Sequence, residues 1–285
     1  MHNTAFFTMD VESLYDSLAL YQKGNQYNQK YSLEENLRYY LDLLEKYNIK
    51  ATLFVVISSL NKCEGILKEA LKRGHEIALH GLNHKSPMDM TDEEFILSIR
   101  EGKKILEEKF NTKIIGYRAP MFGINEKRIE MLKKEGFIYD SSNLSFHLAL
   151  KSGGIDLSNY NKCLNLVHEK DNFYEFSLAK VKAYSGHMPI SGGGYIRLVP
   201  WFVMKYYILK FLRKTDSYIY YCHPFEICYS KLPKLSNINR REWMYMHQGR
   251  FNLLRKTKNI IKMLKRKKFD IMNFKEYIEK RQENC

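Results

Sequence analysis

Two histidines four residues apart, His80 and His84, stand in the run Glu76-Ile77-Ala78-Leu79-His80-Gly81-Leu82-Asn83-His84. Neutral imidazole is the commonest protein ligand for zinc, and a catalytic site takes about three protein ligands and keeps one position open. This spacing lets both rings reach one cation, from a single helical turn or from a loop that curls back. Gly81 gives the backbone freedom for either. The bland alternative is a pair of histidines on a solvated loop. A hydrolytic metal site also needs a carboxylate ligand, a general base and a general acid. Candidates for each stand in other short runs: Asp10 and Glu12 in Thr8-Met9-Asp10-Val11-Glu12, Arg118 in Tyr117-Arg118-Ala119-Pro120-Met121-Phe122, and His223 in Tyr221-Cys222-His223-Pro224-Phe225-Glu226. At a strand's period of two, Asp10 and Glu12 face one side and Val11 the other. Such a set can hydrolyse an amide. A base removes a proton from water, a backbone N–H near Met121 helps hold the oxyanion, and an acid such as His223 protonates the departing amine.

The elements that must position these groups alternate. Residues 5–12 read as a strand ending in two carboxylates, and 21–31 as a polar loop. Ser32-Leu33-Glu34-Glu35 is a capping-box signature for a helix to about Tyr47, with Leu37, Tyr40, Leu41 and Leu44 inward. Residues 51–57 are a continuous apolar run, as in a strand buried on both faces. A helix over about 62–73 stops at Gly74, and the histidine strand follows. Thr91-Asp92-Glu93-Glu94 starts a helix to about Phe110. A strand at 114–118, a helix over about 125–135 ended by Gly136, and a strand at 137–140 come next. This alternation implies a parallel sheet with right-handed crossovers and its reactive groups on one face, as in a TIM-type barrel. Residues 143–172 read as an irregular insertion and 174–182 as a strand. The glycine loop Ser191-Gly192-Gly193-Gly194-Tyr195-Ile196-Arg197 lacks the Gly-Lys-Ser/Thr ending of a nucleotide P-loop. A helix over 201–214, a strand at 217–222, a basic helix over about 249–267, a strand at 269–272 and a helix from Phe274 complete the chain. No repeat or linker divides it, so one catalytic domain over 1–285 is expected.

The runs at 8–12, 80–84, 117–122, 191–197 and 221–226, in that order, resemble the polysaccharide deacetylases with a NodB-type domain. The likeness is to the branch whose first motif reads Asp-Val-Glu or Asp-Val-Asp, and it covers nearly the whole chain. The resemblance implies an α/β fold, a distorted (β/α) barrel of mostly parallel strands. It implies removal of an N-acetyl group (less often an O-acetyl) from a sugar with one divalent metal ion, zinc being the expected one. His80 and His84 match the family's metal pair, and Asp10 matches its catalytic base. Arg118 matches the arginine that pairs with the base, and His223 the histidine that protonates the leaving amine. Most members have a second Asp directly after the first as the third ligand. Val11 stands there, so Glu12 is expected as the ligand, and an exchange of roles between Asp10 and Glu12 stays open. Met121 stands where members often have Tyr, and no tryptophan lies near Asp140, which reads as a cap. Substrate contacts are expected from Met121, Gly193, Gly194 and Arg197. Opening of a cyclic ureide, or glycan binding without catalysis, are the alternatives on the same fold.

Composition limits the rest. The 285 residues are 45% hydrophobic, without an apolar run of eighteen or more. The first residues lack the basic region, apolar core and cleavage site of a secretory signal. Cysteines 63, 163, 222, 228 and 285 form no CxxC pair, which with the missing signal predicts a cytoplasmic protein. The net charge of +14 suits nucleic acid, an anionic membrane or a phosphate-bearing substrate. No zinc-finger spacing, RNP aromatics or basic zipper is present, so no nucleic-acid partner is expected. Trp201 to Lys214 is apolar around most of its circumference and carries four basic residues. It reads either as a barrel helix packed in the core or as a peripheral attachment to the inner membrane face, over a lipid- or nucleotide-linked precursor of a surface polysaccharide.

Overall fold

The computed structural model describes residues 3–18, 23–25, 32–144, 153–183, 186–227, 232 and 234–283. Its strands are β1 (Thr4–Val11), β2 (Thr52–Val55), β3 (Glu76–Leu79), β4 (Gly116–Tyr117), β5 (Ile124–Asn125), β6 (Tyr139–Asp140), β7 (Gly153–Gly154), β8 (Asn161–Leu164), β9 (Val167–Lys170), β10 (Phe173–Phe176), β11 (Lys180–Ala183), β12 (Gly186–Pro189), β13 (Ser217–Cys222) and β14 (Asp270–Met272). Nine of them form one sheet in the order β13-β1-β2-β3-β4-β6-β10-β9-β8, with β14 paired to β1 beside that path. Every pair from β13 to β10 is parallel, and β10-β9-β8 is antiparallel.

β1 is buried along its whole length because three strands bond to it. Thr4–Met9 pair with β13, Thr4–Phe6 with β14, and Thr8–Val11 with β2. The sheet curls until its far side meets β13. Tyr221 N–H donates to Ser191 O, Ile190 N–H to Ala179 O, and Leu178 N–H to Asn143 O. These irregular bonds make the distorted (β/α) barrel, which is the fold expected from the sequence. Inside it, Phe176 stacks on Phe274 with ring centroids 4.0 Å apart, and Phe6 meets Phe176 edge-on at 5.3 Å. Such contacts contribute about 0.5–1.5 kcal/mol each beyond burial.

The helices start where the sequence marks them. Ser32 Oγ accepts from Glu35 N–H at the head of Leu33–Glu45, and Thr91 and Glu94 form a full capping box before Asp92–Phe110. Gly74 and Gly136, at φ 83° and 76°, stop the helices before β3 and β6. Several expectations change. The strand expected over 114–118 is reduced to Gly116–Tyr117, and the one over 174–182 is two strands, β10 and β11. The stretch read as irregular holds β8 and β9, whose polar residues lie on a half-solvated antiparallel edge. The glycine loop turns helical at once, as Gly193–Leu198, and an unexpected helix, Arg240–His247, precedes Arg250–Arg266. Residues 21–22 and 26–31 of the polar loop, with Cys228 and Cys285, lie outside the described residues. Cys63, Cys163 and Cys222 are buried and form no disulfide among the described residues. No helix of the described residues is long and apolar enough to cross a membrane.

A second, small apolar cluster of Leu14, Tyr15, Phe225 and Met246 sits apart from the main core. It joins the short helix Leu14–Ser17 to helix Arg240–His247.

Candidate active site

The parallel strands deliver their last residues to one end. β1 ends at Val11, and Glu12 N–H folds back onto Asp10 O at 3.0 Å, so both carboxylates come to the same place. Both are buried, with 1% exposure. Past β3, Gly81 (φ 85°) and His84 (φ 57°) take left-handed backbone, so His80 and His84 are joined by a curled loop and not by a helical turn.

Arg118, fully buried after β4, is fixed through every arm of its guanidinium. Nη1 donates to Asp10 Oδ1 at 2.6 Å and to Thr8 Oγ1 at 2.9 Å. Nε donates to Ser141 O at 2.9 Å, and Nη2 to Ser141 Oγ at 2.8 Å. The Phe54 ring lies 4.1 Å beneath its carbon. A planar cation so placed fixes one Asp10 oxygen and leaves Oδ2 to the centre.

His80 Nδ1–H donates to the Arg118 carbonyl at 2.7 Å, which turns the Nε2 lone pair inward. Burial pushes the His80 imidazolium down despite Asp10 and Glu12, keeping the ring neutral. Glu12 feels burial, which alone would raise its carboxyl, but His84, then His223 and His80, outweigh it and hold it at about 2. Ser17 Oγ donates to Glu12 Oε1. Glu12 Oε2 is 2.6 Å from His84 Nε2 and 3.9 Å from His80 Nε2, and although burial opposes a charge on His84, the Glu12 charge and hydrogen bond raise that imidazole above its usual value. One ligand atom from each of Glu12, His80 and His84 lies within 4.8 Å of the others. Once His84 gives up the proton it shares with Glu12, an ionised oxygen and two imidazole nitrogens turn their lone pairs to one point. That donor set fits a divalent cation of borderline softness.

His223 enters from the end of β13. Its Nε2 is 3.5 Å from Glu12 Oε1 and 3.8 Å from Asp10 Oδ2, and its Nδ1 is 3.1 Å from Glu226 Oε2. Burial opposes a charge on the ring, but the Glu226 hydrogen bond and charge, with Glu12 and Asp10, raise it to about 9. Glu226 in turn pairs with Arg197 Nε at 3.0 Å, both side chains fully buried. Glu226 stands inside the motif Tyr221–Glu226, but the motif alone assigns it no role. Its signal was a carboxylate three residues after a strand-end histidine, with Pro224 forcing the tight turn that brings it back.

The expected substrate contacts divide. Met121, at φ 55° and 65% exposed, lines a cavity of about 690 Å³ together with His84, Asn83, Tyr15, Lys23 and Glu242. Arg197, Gly193 and Gly194 are not among its lining. Arg197 is buried on Glu226, and a Cβ on Gly193 would meet Glu226 Oε2 at 2.5 Å and Cys222 Cβ at 2.8 Å. These residues stand behind His223, where only glycine leaves room for the Glu226 carboxylate. Asp140 caps, as expected: its oxygens accept from Ser142 N–H at 2.8 Å and Ser142 Oγ at 2.7 Å.

Comparison with known proteins agrees with this architecture. Residues 25–139 match the family model described as polysaccharide deacetylase, and residues 149–277 match a domain of unknown function, DUF3473. A peptidoglycan-N-acetylglucosamine deacetylase of Bacillus cereus is 32% identical over 97 residues, 34% of this chain and 45% of that protein. The chain thus spans less than half the length of this curated relative. Among solved structures, a Mycobacterium smegmatis protein assigned to the polysaccharide deacetylases matches at TM-score 0.63 and 18% identity, over 100% of this chain and 92% of that one. A CE4-family pseudoenzyme from Bacillus anthracis matches at TM-score 0.56 and 12% identity, over 97% and 66%. Residues 25–139, the part of the chain similar to the polysaccharide deacetylases, carry both histidines of the ligand group and the arginine fixed on Asp10.

Proposed function

We propose that this chain hydrolyses the N-acetyl group of a glycan sugar, with one divalent cation, zinc, held by Glu12, His80 and His84. One observation carries the reading: Asp10, fixed by Arg118, and His223, fixed by Glu226, reach the same three-ligand group from two strand ends. The names of relatives support the substrate class. A fold shared with a pseudoenzyme carries no activity by itself; the activity proposed here belongs to these side chains.

When bound, the cation supplies a Lewis acid for the acetyl carbonyl and makes water a stronger acid. Asp10 is the base, and its Oδ2 takes the proton from the attacking water. The Met121 N–H is the oxyanion donor, since Phe122 and Gly123 spend theirs inside the turn on Ala119 O and Pro120 O. His223 enters the reaction protonated and gives its Nε2 proton to the amine, without which the carbon–nitrogen bond does not break. Glu226 holds the ring and its charge, and Arg197 holds Glu226. The sugar occupies the cavity beside Met121, whose size suits a small ligand. We assign the substrate to lipid- or nucleotide-linked precursors of a surface polysaccharide. We place the protein in the cytoplasm, the setting that its scattered cysteines without a CxxC pair lead one to expect.

The test is release of acetate and free amine from soluble, nucleotide-linked and lipid-linked N-acetylglucosamine by the metal-loaded protein. Release from at least one is expected. Silence on all of them, together with opening of a cyclic ureide, would overturn the reading in favour of a different amide hydrolysis.

A further inference from the structure

Helix Trp201–Phe211 has two apolar faces, and among the described residues only one is covered. Met204, Ile208 and Leu212 are buried in the core. On the opposite side Phe202 is 75% exposed and Tyr206 60%, in line with exposed Arg213 and with Leu209, which is half-buried against the core. The spacing 202, 206, 209, 213 makes one stripe along a helix, and exposed Lys205 and Lys210 flank it. The preceding helix, Gly193–Leu198, adds Tyr195 and Leu198, each 40% exposed.

The charge along this stretch of chain has one sign. From Phe176 through Thr215 the sequence contains no Asp or Glu. Lys205, Lys210, Arg213 and Lys214 enter no ion pair among the described residues. Aromatic side chains set among unpaired lysines, on a helix anchored by its other face, have the composition of an interfacial membrane helix. A second copy of this chain fits poorly, because a twofold contact would lay these cations against themselves.

We infer that this face seats on an anionic lipid surface, with Phe202 and Tyr206 at the acyl boundary and Lys205, Lys210, Arg213 and Lys214 against lipid phosphates. The inference deepens the deacetylase reading and rests on it for one consequence, that the sugar is presented on a lipid carrier. The seated helix pair begins at Gly193, in contact with Glu226, so docking is tied by one short helix to the residue that holds the acid.

The test is sedimentation of the full chain with phosphatidylcholine vesicles, with and without phosphatidylglycerol, at low and high salt. Binding is expected only to the acidic vesicles, with release by salt, since each basic residue near such a surface is worth roughly fivefold in affinity. Phe202→Ser with Tyr206→Ser should weaken binding about tenfold or more, and Lys205→Glu with Lys210→Glu at least as much. Both pairs should keep the wild-type melting temperature and acetate release from a soluble substrate. Failure of the full chain to pellet with acidic vesicles at low salt overturns the inference. So does equal binding by both variants. A concentration-dependent dimer that Phe202→Ser abolishes, without vesicle binding, overturns it as well and gives the face to a second copy. Lipid binding is read without substrate, so its failure leaves the deacetylase reading standing, and a failure to deacetylate leaves the lipid result.

Discussion

His223 touches the centre through Nε2 and is governed through Nδ1, so its two nitrogens give two separable experiments. His223→Ala should lower kcat by about 100- to 10,000-fold, the range for loss of a general acid, with metal content unchanged. Glu226→Gln keeps the shape of the contact and removes its charge. It should lower kcat by about 10- to 100-fold with KM and metal content unchanged; a rise in KM alone would make Glu226 a substrate contact and not a positioning residue. On the other side, elemental analysis of the His80→Ala, His84→Ala double variant should show the bound ion lost while the far-UV spectrum is kept. Full retention of metal would refute the ligand set. Asp10, Glu12, His80, His84, Arg118 and His223 were legible because each sits in a short run at a strand end. The role of Arg197 was not, since its partner Glu226 lies 29 residues further along the chain and their contact exists only once both are folded.

Among the elements, those with local signals were the readable ones. Thr91 and Glu94 lie within one turn of each other, so their capping box is written into the sequence. β4 is different. Ile115 O accepts from both Ile138 N–H and Tyr139 N–H, which spoils the ladder and leaves a two-residue strand where the apolar run suggested five. β8 and β9 were missed because an edge hairpin with one wet face has no continuous apolar run. The loop into β3 carries its own prediction. His75 Nδ1 accepts from Ala51 N–H at 2.9 Å, tying the start of β3 to that of β2. Burial, then Arg73 and Lys50, push His75 down from 6.5 to about 4. A depressed histidine contributes stability that is complete above the unfolded value and lost as pH falls toward the folded one. The melting temperature should therefore fall between about pH 6.5 and 4, by up to about 1.4 kcal/mol of stability per unit of pH. In His75→Asn, which cannot take up that proton, the slope should be shallower; an equal slope would place the acid sensitivity elsewhere.

At the scale of the molecule, the boundary between the two family matches does not coincide with a boundary in the sheet. β1 is bonded on one edge to β13 and on the other to β14 and β2, and Phe176 and Phe274 fill the space beneath it. Residues 1–139 expressed alone should therefore show no cooperative melt by circular dichroism, since β1 would expose a whole edge and lose its aromatic core. A sharp transition in that fragment would establish an independent domain.

The small cluster of Leu14, Tyr15, Phe225 and Met246 has a different consequence. It mounts helix Arg240–His247 on the rim of the cavity, where Glu242 meets Lys23, without drawing on the main core. Substitutions at the exposed Trp243 and Met244 can thus reshape the entrance, whereas Tyr245 packs on Phe225 and Arg197 and so belongs to the support of His223. On the deacetylase reading, selectivity and reactivity are then inherited separately: redrawing the doorway exchanges one sugar for another, and the hearth behind it stays lit.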